Sequence, residues 1–222
     1  MEPSVVLAAW AAGLAAGSAL VIQWAVVGKG FTRLTLAVTI LLGVSTAVAG
    51  GGVAAWVGCG LATVAVFTPR SVSVVLAASA AVSLLVAGAA EGELVLLVTG
   101  ALFLGGVTCE MLLGHWYLVD PRLPRSALRR LCLSGLVGAV IDPVAAMVSG
   151  ASPWGSGDTV TGIGWIALAA ASLLLMIGVW FSLGEKGYPA VMAATGLSYL
   201  AVLTTIGTVV LGRVLVTGSG LG

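Results

Sequence analysis

Four side chains in this sequence could do acid–base or hydrogen-bonding chemistry within or beside apolar runs: Glu110, His115, Tyr117 and Asp142. A charged group at the centre of a bilayer costs about 2.5–3.5 kcal/mol or more, so each ionisable residue placed there needs a partner or a task. Asp142 is the deepest. It follows Arg130 by 12 residues, roughly 18 Å of helix, and is surrounded by Gly135, Gly138, Ala139, Ala145, Ala146 and Ser149, small residues that leave room for water, a ligand or a partner helix. Pro143 comes next and frees a backbone carbonyl near Ala139. Two readings stay open: Asp142 locks the bundle through a neighbouring helix, or it relays protons or binds a ligand.

Glu110 precedes His115 by five residues, which places the two about 140° apart around a helix. Glu110 aligns with Gly106, Gly114 and Tyr117, and His115 with Thr108 and Met111. A neutral or proton-exchanging carboxyl at Glu110 suits its depth. His115, the sole histidine, stands beside Trp116 and Tyr117. It belongs to an interfacial aromatic belt, hydrogen-bonds a quinone or delivers protons, or ligates heme; bis-His heme ligation would require a second histidine from another chain.

The remaining charges define the elements that must hold these residues. Of 222 residues, 60% are hydrophobic and 8% charged, and the mean hydropathy is +1.19. An ordinary soluble domain carries about a quarter charged residues. Apolar runs cover about 5–27, 31–49, 53–67, 72–90, 94–115, 131–149, 160–183 and 190–215. These predict a single all-α transmembrane domain of eight spans with no soluble domain. The runs show no period-2 alternation, which argues against a β-barrel. Gly50-Gly51-Gly52 separates the second and third spans tightly, and one long bent helix is the alternative. Arg33 and Arg70 are 37 residues apart, roughly 55 Å of helix, which fits two crossings better than one.

With eight spans, Lys29, Arg33, Arg70, Arg122, Arg125, Arg129, Arg130 and Lys186 share one face, and only Arg213 lies toward the other. Basic loops stay cytoplasmic, so both termini are expected outside, in a bacterial-type cytoplasmic membrane. Trp24, Trp116 and Trp180 then mark the inner interface and Trp154 the outer one. Met1-Glu2-Pro3 lacks the basic start of a cleaved signal peptide, so the first run is expected to be retained.

Arg122, Arg125, Arg129 and Arg130 fix topology and contact anionic headgroups, or dock a soluble partner subunit. Arg213 is a candidate for an ion pair with an outer acid, Asp158 or Asp142, or snorkels to the interface. Thr195, Ser198, Tyr199, Thr204, Thr205 and Thr208 suggest that the eighth span faces the bundle interior. Gly13 and Gly17 have the spacing of close helix packing. Cys59, Cys109 and Cys132 form no CxxC and read as small packing residues.

No nucleophile elbow, HExxH or phosphate-binding loop is present, so no catalytic residue or metal site is assigned. Net charge near zero argues against nucleic acid. The expected partners are the lipid bilayer and other protein subunits. The leading expectation is a membrane subunit of a redox or respiratory-type complex, anchoring partner subunits and handling a quinone or protons. The alternatives are a small transporter or channel with Asp142 as coupling residue, and a purely structural membrane subunit.

Overall fold

An apolar segment in lipid finds no water for its backbone N–H and C=O groups, and a helix pairs them internally. The structure, a computed structural model, describes residues 3–90, 92–121, 123–154 and 159–219. Among them each apolar run is a helix and there is no strand. The order is α1 (Pro3–Gln23), α2 (Lys29–Val48), α3 (Gly52–Phe67), α4 (Arg70–Ala89), α5 (Leu94–Val119), α6 (Arg125–Val148), α7 (Thr159–Ser182) and α8 (Tyr188–Ser219). Seven are long and apolar enough to cross a membrane, and α3 is a shorter apolar helix of 16 residues.

The helices pack through their small residues. The buried side of α1 is largely Ala8, Ala9, Ala11, Ala12, Ala15 and Gly17, whereas Val75, Val82, Val140, Val144 and Leu203 face outward. Lipid is as apolar as leucine, so burying large side chains gives little advantage, and close backbone approach decides which face is inside. Helices α1 and α5 are the most buried of the long helices. They touch backbone to backbone: a Cβ on Gly105 would lie 2.2 Å from the Gly13 carbonyl carbon. Gly17 meets Cys109 one turn further on. Trp10 Nε1 donates to Thr108 Oγ1 across the same seam at 2.8 Å.

The second and third runs are separate helices folded back on each other. Gly50 and Gly52 adopt φ of 112° and 62°, a left-handed region that favours glycine, so the reversal falls there. Gly43 of α2 then faces the Cys59 sulfur of α3.

Side-chain contacts gather the basic connections at one end. Arg125 reaches the α7–α8 turn, the Arg129 guanidinium carbon lies 4.6 Å from the Trp180 ring centre, and Arg130 lies 5.3 Å from that of Trp24. The Phe31 and Trp116 rings meet edge to face at 6.4 Å. At the other end Ser149 donates to Glu93 at 2.7 Å. Trp154 is exposed. Arg122, Glu91 and Asp158 lie outside the described residues.

The helices overrun the expected spans. α5 continues past His115 to Val119, and α6 starts at Arg125 rather than at Leu131. Span limits follow hydrocarbon, but a helix keeps its hydrogen bonds in the interfacial region and stops at punctuation, here Asp120 to Pro124. Cysteines introduced at Lys186 and Gly218 should react with a membrane-impermeant thiol reagent from opposite sides of sealed vesicles. Labelling of both from one side would overturn the eight-crossing topology.

Candidate functional site

Helix α5 carries Thr99 and Glu110 into the bundle interior, and α6 and α8 supply their partners. Asp142 on α6 and Arg213 on α8 are 1% and 5% exposed, yet both are charged side chains inside apolar helices. They pair. Arg213 Nη2 donates to Asp142 Oδ1 at 2.5 Å and Nη1 to Oδ2 at 3.3 Å. Thr99 Oγ1 of α5 donates to Oδ1 at 2.8 Å, and a third guanidinium bond runs from Nη2 to the Leu96 carbonyl at 2.6 Å. The glycine at position 100 makes room, because a Cβ there would stand 2.8 Å from Arg213 Nη2. Three helices are therefore tied through one charge-neutral cluster. Of the two acids open to Arg213 in sequence, the structure places Asp142 against it.

Glu110 lies 11 residues further along α5, roughly 16 Å away. It is 0% exposed. Its Oε2 is hydrogen-bonded to the Ser198 hydroxyl of α8, and its Oε1 has no hydrogen-bond partner. Among the described residues no basic side chain pairs with it. Ser198 Oγ also lies 2.9 Å from the Ala194 carbonyl of its own helix. A hydroxyl has one proton, so Ser198 serves either Ala194 or Glu110 as donor, and accepts from a protonated carboxyl when it serves Ala194. The close approach that sets this register is Gly114 of α5 against Thr195 of α8. Thr195, Ser198, Thr205 and Thr208 of α8 are buried, whereas Tyr199 is exposed.

Glu110, His115 and Tyr117 do not converge on one pocket. His115 is exposed, and its Nδ1 lies 3.0 Å from the Tyr199 hydroxyl, with the two rings edge to face. Tyr117 packs into the main hydrophobic core. What Glu110 and His115 share is α8, where they meet consecutive residues, Ser198 and Tyr199.

The described arginines of the α5–α6 connection hold this chain to itself. Arg125 donates to the carbonyls of Glu185 and Gly187, the latter at 2.6 Å, and so ties the start of α6 to the α7–α8 turn. Arg129 and Arg130 are exposed and lie over Trp180 and Trp24. Cys59, Cys109 and Cys132 are buried and free.

Sequence reasoning missed Thr99, Leu96 and Gly100. A threonine and a glycine near a helix start carry no signal in a chain so rich in both, and a backbone carbonyl carries none at all. The fold and these buried polar centres define a polytopic helical membrane protein. No family model, curated protein or solved structure matches the chain.

Proposed function

We propose that this chain is a proton-handling membrane subunit of a redox or respiratory-type assembly in a bacterial-type cytoplasmic membrane. The observation that carries the reading is Glu110: fully buried, hydrogen-bonded through one oxygen, with the other unpartnered and no described cation beside it. A carboxyl used only to hold helices together gains from a counter-ion, as Asp142 has in Arg213. Without one, neutralisation is by proton uptake, and Ser198 can serve both forms, donating to the carboxylate or accepting from the protonated carboxyl. His115 and Tyr199 present a polar pair on the bundle exterior, where a membrane-soluble quinone could meet it. Exposed Arg129 and Arg130 suit docking of a partner subunit on the same end.

A coupling role for Asp142 draws less support, because both its oxygens are occupied within the chain. Infrared difference spectra of the purified protein test the proton reading. We expect a carboxyl band that responds to the pH of the medium, vanishes in Glu110→Gln and shifts in Ser198→Ala. A spectrum with no pH-responsive carboxyl band, or one unchanged in Glu110→Gln, would sink it.

A further inference from the structure

We propose that the cavity between the ends of α1–α4 on the basic face binds a phosphate group. The cavity measures about 330 Å³, within the range of small-ligand sites, and Lys29, Arg33 and Arg70 line it. No acidic residue lines it. Among the described residues none of these three cations has an ion-pair partner. Three uncompensated cations around one concavity repel each other unless an anion joins them, and they focus a positive potential into it.

Backbone donors point the same way. α2 begins at Lys29 behind Gly28 and α4 at Arg70 behind Pro69, and neither N-terminus has a side-chain cap. The first-turn N–H groups of both helices are therefore left without intrahelical partners at the cavity rim, with the positive ends of two helix dipoles beside them. A Cβ on Gly28 would meet nothing within 4 Å, so the approach to the α2 terminus is open.

Ser73 supplies an independent sign. It lines the cavity, is 2% exposed, and its hydroxyl has no hydrogen-bond partner. Thr35, Thr39 and Thr46 on neighbouring α2 all bond back to their own helix carbonyls. Ser73 does not, and is left as a buried hydroxyl that a phosphate oxygen can satisfy. Arginine forks, a lysine, free amides and a hydroxyl together match a tetrahedral oxyanion. Apolar Ile22, Val66 and Phe67 complete the wall. The phosphate can thus belong to a lipid, with its chains along these residues, or to a soluble compound.

The test uses the full chain in two arms. In the first, the protein in nanodiscs of phosphatidylcholine with a minor fraction of phosphatidylglycerol is released into the mass spectrometer, and retained lipid is counted. In the second, pyrophosphate is titrated into detergent-solubilised protein by calorimetry. We expect saturable one-to-one binding in at least one arm. Arg33→Gln and Arg70→Gln should each weaken it about tenfold or more, and Ser73→Ala a few-fold. Lys186→Gln, on the same face but outside the cavity, should leave it unchanged. Retention of phosphatidylglycerol alone assigns a lipid headgroup, and pyrophosphate binding assigns a soluble phosphate. Binding in neither arm overturns the proposal, as does binding that Arg33→Gln, Arg70→Gln and Lys186→Gln weaken equally. Thermal melts confirm that Ser73→Ala, which removes one oxygen, is folded.

Discussion

Asp142→Ala or Arg213→Ala alone should destabilise the protein by about 3–5 kcal/mol, the cost of leaving one buried charge without its partner. Asp142 would strand a guanidinium whose remaining acceptor is the Leu96 carbonyl, and Arg213 would strand a carboxylate with only the Thr99 hydroxyl. Neither group can reach bulk water from its place between α5, α6 and α8. The double variant Asp142→Leu with Arg213→Met should recover most of the loss, because the desolvation of both ions disappears with their attraction. A double-mutant cycle built on the matching singles, Asp142→Leu and Arg213→Met, reads this directly from unfolding midpoints in mild detergent. Additive losses would mean that the two side chains do not act as a pair.

Gly105→Ala should be nearly as damaging, although alanine is about 1 kcal/mol better than glycine inside a helix. The added carbon would sit 2.4 Å from the Gly13 Cα and 2.6 Å from its carbonyl oxygen. These are backbone atoms, so no rotamer change relieves the clash, and α1 must move away from α5. Overpacking of this kind typically costs about 1–3 kcal/mol. Here it would also pull Trp10 from Thr108 and Gly17 from Cys109, so we expect the upper end of that range. Gly60→Ala is the control, since nothing lies within 4 Å of its would-be Cβ. It should melt at or above the parent temperature. Equal melting of the two variants would show that the α1–α5 seam is not tight.

Much of the architecture could be read from residue order, because in lipid the length of an apolar run and the charges at its ends leave few choices. The 37 residues between Arg33 and Arg70 favour two helices over one long bent one, and α2 and α3 are two. The depth of Asp142 was equally plain, and so was the spacing of Gly13 and Gly17. Pairings between helices were not. That Glu110 meets Ser198 while His115 meets Tyr199 depends on the register of α5 against α8, which Gly114 and Thr195 set over 80 residues apart in sequence. Lys29, Arg33 and Arg70 read only as topology markers, since nothing in their order says that the α1–α2 and α3–α4 connections meet at one cavity.

Sixteen residues give α3 a length of roughly 24 Å, against about 30 Å of hydrocarbon in an average bilayer. Its neighbours α2 and α4 have 20 residues each, so the shortfall is confined to one flank of the bundle. As a crossing helix α3 would compress the chains of the lipids beside it or draw its glycine turn below the headgroups, at a cost of fractions of a kcal/mol per Å. Shorter acyl chains relieve that strain. A crossing α3 would therefore make the folded state sensitive to membrane thickness, with bilayers of shorter-chain lipids favouring it over those of long-chain lipids.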